Sequence, residues 1–270
     1  MPPLGNLWTF TTPLAICLSI LSSTVSPVIG QLPGPQAPSR HGTLTFQQSG
    51  HITRATFDNG PINLVDCNLI DDFLDFLLSL KPDNRTTPSP KVVIFDSANP
   101  NFFLGHIDLQ LATTPLTPAK YLIVQNYIAI TRLMQNITST IFVAEINGRA
   151  FGAGQEFAIQ MDMRFVGPQA RTGSFEDAIG LTAGVGAQTI LGSLIGKGRA
   201  LEYVLAAKTF DGPTGTALGL FSGYFNTAAL LRAAVDELAQ RIALFPALAS
   251  TKPRPSSATS TPPSAPWKRT

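Results

Sequence analysis

The sequence predicts an α/β fold in which helices pack on β-sheets, forming one sizeable domain or at most two small ones. Short apolar strand patterns, such as Val92–Phe95 and Ile141–Ala144, alternate with helical patterns, such as Tyr121–Met134. The chain has 270 residues, of which 44% are hydrophobic and 13% charged. This composition suits a buried core and argues against global disorder.

The N-terminal segment predicts a secretory leader. No charged side chain precedes Arg40, and the apolar centre Pro13–Leu21 is too short for a membrane span of about 20 residues. Residues 1–30 are therefore predicted to be a signal peptide, or an apolar leader that is not cleaved. A cleaved signal peptide would place the protein in the secretory pathway, without a membrane span. If the leader is not a signal, the expected location is the cytosol, the mitochondria or the peroxisomes. Residues 31–41 are rich in Pro, Gly and Ser and predict a linker.

The predicted core occupies residues 42–225 and begins with a hairpin. Thr43–Gln47 and Ile52–Phe57 are strand-like, with Ser49-Gly50 between them as a turn. Cys67–Leu80 has helical spacing of its apolar residues, and its aspartates fall on the other face. Cys67 itself is expected to be a small buried residue rather than a nucleophile.

The C-terminal end of the sequence predicts a tail, because residues 253–270 are rich in Pro, Ser and Thr and are expected to be disordered. Residues 226–252 before this tail are assigned as a partial C-terminal helical region only by resemblance to a known family.

The charge distribution argues against a nucleic-acid-binding protein. The net charge is +2, but the four basic residues within 252–270 carry +4, so the rest of the chain carries −2. A mildly acidic core offers no basic surface for a phosphate backbone. The three histidines, His41, His51 and His106, lack ligand spacing with one another or with cysteine, so we expect no metal site.

The first candidate motif lies at a strand-to-helix junction. An apolar strand ends at Asn147-Gly148, and the small residues Gly152-Ala-Gly154 precede Glu156. Small residues allow a ligand to approach the backbone, and the first amides of a helix can hold negative charge. Glu156 falls about one turn after Ala153, on the same face. The alternative is a structural role, in which the small residues allow tight packing and Glu156 interacts favourably with the helix dipole.

Two further segments could contribute to the same chemistry. Asn101–Leu109 follows a predicted strand and predicts a loop entering a helix at Asp108, whose backbone amides could supply a second donor. In Gly173–Gly180, Glu176 has apolar neighbours, and an apolar pocket raises a carboxyl pKa as a general acid near neutral pH requires. An exposed acid at a helix start is the alternative for Glu176.

These segments resemble, in order and spacing, three motifs of the crotonase superfamily, the enoyl-CoA hydratase/isomerase family. Phe103-Leu-Gly-His-Ile-Asp108 is similar to its Phe-x-Ala-Gly-x-Asp loop. Asn147-Gly148 with Gly152-Ala-Gly-Gln-Glu156 is similar to its glycine-rich turn. Gly173-Ser-Phe-Glu176 with Gly180 is similar to its Gly-x-x-Glu-x-x-x-Gly segment. His106 and Ala153 depart from the family pattern, which has glycine at both positions.

The resemblance implies a crotonase-like spiral of ββα turns with a shortened or irregular C-terminal helical region. It implies an acyl-CoA thioester as substrate, no further cofactor, and assembly into a homotrimer or hexamer. The backbone N–H groups of Ile107 and Ala153 would form the oxyanion hole. The predicted substrate-binding residues are Leu104, Gly105, His106, Gly152 and Gly154.

The resemblance also implies a reaction. Hydratases of this family use two glutamates, which correspond to Glu156 and Glu176, whereas its isomerases commonly keep only the second. The leading interpretation is an enzyme that hydrates a 2-enoyl-CoA through an oxyanion-stabilised enolate. The alternatives are a Δ3,Δ2-enoyl-CoA isomerase, another enolate reaction of the family, or a non-catalytic protein that binds CoA or a partner.

Overall fold

The computed structural model describes residues 42–81, 90–112 and 117–246. The predicted leader (1–30), linker (31–41) and tail (253–270) lie outside the described residues, as does the end of the predicted helical region 226–252. Signal-peptide function and secretion therefore stay predictions.

Ten strands form two sheets in the described part of the chain. The six-stranded sheet has the order β1-β2-β3-β5-β7-β10 and the four-stranded sheet the order β4-β6-β8-β9. Only the end pairs β1–β2 and β8–β9 are antiparallel. The strands are β1 Leu44–Ser49, β2 Ile52–Phe57, β3 Val92–Ser97, β4 Phe102–Leu104, β5 Ile141–Ile146, β6 Arg149–Phe151, β7 Met163–Val166, β8 Arg171–Gly173, β9 Thr209–Asp211 and β10 Gly223–Tyr224.

Eight α-helices accompany these strands in the described ranges. They are α1 Cys67–Ser79, α2 Leu109–Ala112, α3 Pro118–Asn136, α4 Ala153–Gln160, α5 Ala187–Ile195, α6 Lys197–Leu205, α7 Gly212–Leu218 and α8 Ala228–Leu244. Side-chain caps fix several starts: Asp66 accepts from the Leu69 N–H at 3.0 Å and Thr227 from the Leu230 N–H at 3.1 Å. None of these helices has both the length and the apolar character needed to cross a membrane.

The chain winds as a spiral that gives one strand to each sheet in every turn. The pairs β3–β4, β5–β6 and β7–β8 each contribute first to the large sheet and then to the small one, and a helix follows each pair. The fold is thus the expected spiral of ββα turns. Its C-terminal helical region includes the 17-residue helix α8.

The main core lies on the inner face of the large sheet, under α1, α3 and α4. Phenylalanine rings from strands and helices meet there at centroid distances of 5.2–6.0 Å, mostly edge to face. The six fully buried phenylalanine rings of the described residues are Phe57, Phe73, Phe95, Phe103, Phe142 and Phe157. Because Phe157 belongs to α4, this core fixes the helix that carries the first candidate motif.

Helix α8 covers the opposite face of the large sheet through apolar and ionic contacts. Val92, Ile94 and Val143 of the sheet pack with Leu231 and Val235 of the helix.

Beside this packing, Arg54 donates to Asp96 and Glu145 at 2.8 Å each, and Arg232 of α8 donates to the same two carboxylates at 2.7 Å. Asp96 and Glu145 are buried, so both arginines are needed to compensate their charge.

The structure confirms the predicted hairpin and helices, with two exceptions in α1. Cys67 is exposed, because it occupies the first helical position, outside the packed face. Asp72 is buried, whereas the helical pattern placed the aspartates on the outer face. Its carboxylate accepts from the N–H (3.0 Å) and the hydroxyl (2.7 Å) of Thr43, which precedes β1. A polar contact with a distant segment decided the position of Asp72, and helical periodicity does not show such contacts.

We predict that Arg54→Met destabilises the protein by about 3–5 kcal/mol, because two buried carboxylates then share only the half-exposed Arg232. Urea unfolding followed by circular dichroism measures the loss. Arg232→Met is the control and should cost less, since Arg54 remains with both carboxylates. Equal losses for the two variants would contradict the role given to Arg54.

Candidate active site

Three segments of the candidate site follow three neighbouring parallel strands. Strands β4, β6 and β8 are adjacent in the small sheet and run in the same direction. The residues after their ends are therefore brought to one edge of the sheet, the usual position of ligand sites in α/β proteins. These segments are 105–108, 152–156 and 174–176, which contain the predicted site residues apart from Leu104, the last residue of β4.

The first two segments are held in contact by glycines. The Gly154 N–H donates to the Gly105 carbonyl at 3.0 Å. A Cβ on Gly154 would lie 2.2 Å from the Leu104 carbonyl oxygen, so no larger residue fits there without a shift of backbone. Leu104 and Gly105 thus serve the site through their backbone, and both are buried.

Gly152 connects the second segment to the third. Its φ of 53° and ψ of −120° lie in a region that residues with a Cβ rarely adopt. A Cβ would also lie 2.8 Å from Oε1 of Glu176 and 3.4 Å from Cβ of His106. The Glu176 carboxylate therefore sits directly against Gly152, one residue before Ala153.

The two predicted oxyanion donors have free N–H groups in the described structure. Val65 pairs with the residues on either side of Ile107, accepting from the Asp108 N–H and donating to the His106 carbonyl, so the Ile107 N–H points away from this bridge. Ala153 is the first residue of α4, where an N–H has no helical partner. No described residue accepts a hydrogen bond from either N–H. Free backbone donors at such an edge can hold a negatively charged oxygen.

Glu156 is a buried carboxylate with two hydrogen-bond donors. Only 4% of the residue is exposed. Tyr127 donates from its hydroxyl to Oε2, and the Gly184 N–H donates to Oε1 at 2.6 Å. Burial raises the pKa of Glu156 from its usual 4.5 to about 7, the Tyr127 hydroxyl opposes this rise, and the charge of Glu176 adds to it.

Glu176 has different surroundings from those that the sequence predicted. Ile179 is 59% exposed and Ala178 is also exposed. The prediction that these neighbours form an apolar pocket around the Glu176 carboxyl is therefore wrong. The cause is a short 3-10 turn, Asp177–Ile179, which turns these side chains to the surface. Glu176 is half-buried, and its Oε2 accepts from the Ser174 hydroxyl at 2.7 Å. Its other oxygen, Oε1, faces Gly152 and accepts no hydrogen bond from the described residues.

Sequence reasoning missed Tyr127, Gly184 and Ser174. Ser174 lies inside a recognised motif, two residues before Glu176, and its hydroxyl could have been noticed. Gly184 is the first of two glycines around Val185, a pattern that indicates a turn but not its partner. Tyr127 occupies one of many apolar positions on α3, and nothing in the sequence distinguishes it.

The turn that contains Gly184 is fixed by two glutamines. Gln160 of α4 donates from Nε2 to the Val185 carbonyl at 2.7 Å, and Gln135 of α3 donates to Gln160 Oε1 at 2.6 Å. Val185 has a φ of 39°, which is unfavourable for a β-branched residue and requires such support. The same two helices that position Glu156 therefore also hold the loop that binds its carboxylate.

His106 lies on the exposed side of the site. Its Nδ1 is 2.8 Å from the carbonyl oxygen of the next residue, Ile107. A carbonyl only accepts, so Nδ1 carries the proton in this contact. This hydrogen bond uses the carbonyl of Ile107 and leaves its N–H available.

A cavity elsewhere in the protein is separate from this site. It has a volume of about 330 Å³ and lies where β3 and β5 end beside α8, with Asp96, Asn147 and Arg232 in its wall. None of the predicted site residues lines it. The described residues include no group of three or more His, Cys, Asp or Glu side chains that could hold a metal ion.

Comparison with known proteins assigns the family. Residues 47–253 match the model of the enoyl-CoA hydratase/isomerase family. The chain belongs to this family.

Relatives agree with that membership. A short-chain enoyl-CoA hydratase of Clostridium acetobutylicum is 31% identical over 100 residues, which are 37% of this chain and 38% of that enzyme. The match thus spans less than two fifths of the clostridial protein.

Solved structures of the family share the fold. A candidate enoyl-CoA hydratase from Streptomyces avermitilis superposes with a TM-score of 0.69 at 31% identity, covering 80% of this chain and 77% of that one. A candidate enoyl-CoA hydratase from Thermobifida fusca YX, solved in complex with CoA, gives a TM-score of 0.68 at 25% identity, covering 77% and 81%. The ββα spiral is therefore the crotonase fold of this family.

We predict that Gly154→Ala disrupts the site, since its Cβ would lie 2.2 Å from the Leu104 carbonyl oxygen. Overpacking of this kind costs about 1–3 kcal/mol. The matched control is Gly198→Ala in α6, where a Cβ meets nothing within 4 Å. This control should stabilise by about 0.5–1 kcal/mol through helix propensity. Thermal unfolding of both variants checks the contrast, and a stable Gly154→Ala protein would refute the close contact.

We also predict that stability falls as the pH rises from about 4.5 to 7, because of Glu156. The folded protein binds this proton more tightly than the unfolded chain does, so the contribution present below pH 4.5 is lost as pH rises through about 7. The loss amounts to about 3 kcal/mol for a pKa raised from 4.5 to about 7. Urea unfolding at several pH values should show it as a difference from Glu156→Gln. If the free energy of unfolding changes with pH in the same way in both proteins, the raised pKa of Glu156 is contradicted.

Proposed function

We propose that the protein is an enzyme that adds water across the double bond of a 2-enoyl-CoA thioester. The observation that carries this proposal is one sheet edge that holds two electrostatically interacting carboxylates, Glu156 and Glu176, together with two unpaired N–H groups, those of Ile107 and Ala153. The two carboxylates can hold and deprotonate water, and the two N–H groups can stabilise the oxygen of an enolate.

In this proposal the acyl-CoA thioester binds along the backbone edges of the first two segments. Its carbonyl oxygen accepts from the Ile107 and Ala153 N–H groups, while Leu104, Gly105, His106, Gly152 and Gly154 line its path. The N-terminus of α4 adds favourable dipole charge at the same oxygen. The CoA complex of the relative from Thermobifida fusca supports this choice of ligand. No further cofactor is required.

The reaction then follows from the two carboxylates. Glu156, ionised above about pH 7, accepts a proton from water while the water oxygen bonds to C3 of the substrate. The electrons of the double bond pass to the thioester oxygen, where the two N–H groups stabilise the enolate. Protonated Glu176, which faces Gly152 at this position, delivers its proton to C2 as the enolate returns to the thioester. The proton held by Glu156 then replaces the one lost by Glu176, so the enzyme is restored and the net change is the addition of one water molecule.

Isomerisation of a 3-enoyl-CoA is the second candidate. It needs one carboxylate that moves a proton between two carbons and the same stabilised enolate. Glu176, placed against Gly152, would suffice for that. The buried position and raised pKa of Glu156 favour hydration, because a group with a pKa near 7 suits deprotonation of water at neutral pH.

A spectroscopic assay tests the proposed hydration. The protein lacking residues 1–30 should decrease the absorbance of a short 2-enoyl-CoA, and both Glu156→Gln and Glu176→Gln should slow this reaction about 10²–10⁴-fold. Glu237→Gln, a change at an exposed position of α8, is the control and should keep full activity.

The variants also separate the alternatives. If the parent protein never hydrates 2-enoyl-CoA and its Glu156→Gln variant still isomerises 3-enoyl-CoA, the protein is an isomerase and not a hydratase. A folded parent that binds a CoA thioester without turning over either substrate would favour the non-catalytic alternative.

A further inference from the structure

We propose that Tyr127 is a positioning residue of this site: its hydroxyl fixes one oxygen of the Glu156 carboxylate and sets the pH range in which that carboxylate accepts a proton. The kinetic consequence rests on the proposed hydration. The structural part concerns the protein without substrate and can be tested separately.

The position of Tyr127 is set by the packing of two helices. Tyr127 lies on α3 and is 7% exposed, and its ring centroid is 5.0 Å from that of Phe157, the residue after Glu156 on α4. This contact directs the hydroxyl to Oε2 of Glu156. Tyr127 therefore acts on the carboxylate from a helix that contributes none of the three strand-end segments.

The other oxygen is held from a different direction. The Gly184 N–H donates to Oε1 at 2.6 Å, and Gln160 holds the following residue of that turn. Rotation of the carboxylate about its last torsion would break both hydrogen bonds at once. Each oxygen retains one further lone pair, in a direction that the two donors determine.

Tyr127 can act only as a donor. Burial, together with the charge of Glu156, raises the pKa of Tyr127 well above its usual range, so the hydroxyl keeps its proton wherever Glu156 titrates. It therefore stabilises the ionised form of Glu156 without exchanging a proton with the substrate. The only other titratable side chain that acts on Glu156 in the described structure is Glu176, whose charge has the opposite effect.

Tyr127→Phe isolates this effect because the ring and its contact with Phe157 remain. Loss of the hydroxyl removes a hydrogen bond to the charged form, so the pKa of Glu156 should rise by about one unit. Tyr121→Phe is the matched control: it makes the same change on the same helix, at a residue that is 45% exposed. It should leave the titration unchanged.

The titration is best followed directly. Protein labelled with ¹³C at the glutamate carboxyl carbons gives one NMR resonance per glutamate, and Glu156→Gln identifies that of Glu156. Circular dichroism verifies that each variant is folded.

A second variant covers the case in which Tyr127→Phe does not fold. Tyr127→3-fluorotyrosine keeps the hydroxyl and makes it a stronger donor, so the pKa of Glu156 should fall instead of rise. Opposite shifts in the two variants, or a fall in this one alone if the first does not fold, would establish the role of Tyr127. An unchanged Glu156 titration in the folded variants would overturn it.

The kinetic readout separates this proposal from the proposed function. If the parent hydrates 2-enoyl-CoA, the acidic limb of kcat/KM should move to higher pH in Tyr127→Phe by the same amount as the NMR titration, with full rate recovered at high pH. An unmoved limb in an active variant would overturn the positioning role. Shifted NMR titrations in proteins that never hydrate would instead sink the hydration and leave the positioning of Glu156 intact.

Discussion

The site depends on one close backbone contact, between the segment that leaves β4 and the segment that leaves β6. Gly154 donates to Gly105 at 3.0 Å, and the Leu104 carbonyl occupies the space where a side chain at Gly154 would lie. This contact places the free N–H groups of Ile107 and Ala153 at the same edge. It also sets the start of α4, and thus the position of Glu156 one turn later. A single change of residue size there would move a donor and a carboxylate together.

The second constraint is electrostatic and follows from the first. A helix that begins in the core brings its first-turn acid, Glu156, out of water, and an isolated buried carboxylate is unfavourable. Two donors reduce that cost, the Tyr127 hydroxyl and the Gly184 N–H, but burial still dominates and leaves the pKa near 7. The features that make Glu156 costly for stability are thus those that suit it to proton transfer at neutral pH. Stability and proposed activity are coupled through one group.

The sequence predicted the strand-end segments because their residues are local in the chain. Glycines mark the turns, and an acid one turn after them marks the helix face, so Ala153 and Glu156 could be named from the local pattern. Ile107 could be named only from the resemblance of its loop to that of the family. The partners of Glu156 could not be, since Tyr127 and Gly184 are 29 and 28 positions away and meet it only through packing. The error at Asp72 has the same origin, whereas the error around Glu176 comes from a local 3-10 turn, Asp177–Ile179, that the sequence pattern did not reveal. Periodicity shows which face a residue occupies, but not which distant group that face meets.

In the proposed hydration the two glutamates have unequal roles. Glu176 lies against Gly152, the residue before Ala153, a position that would suit either hydration or isomerisation. Glu156 is more deeply buried, and in the proposal it is the group that deprotonates water. The Tyr127 hydroxyl and the loop held by Gln160 and Gln135 keep this carboxylate in one position, which supports the proposed hydration over a reaction that relies on Glu176 alone. A carboxylate that is both costly to bury and held at both oxygens is best explained by a reaction that uses it.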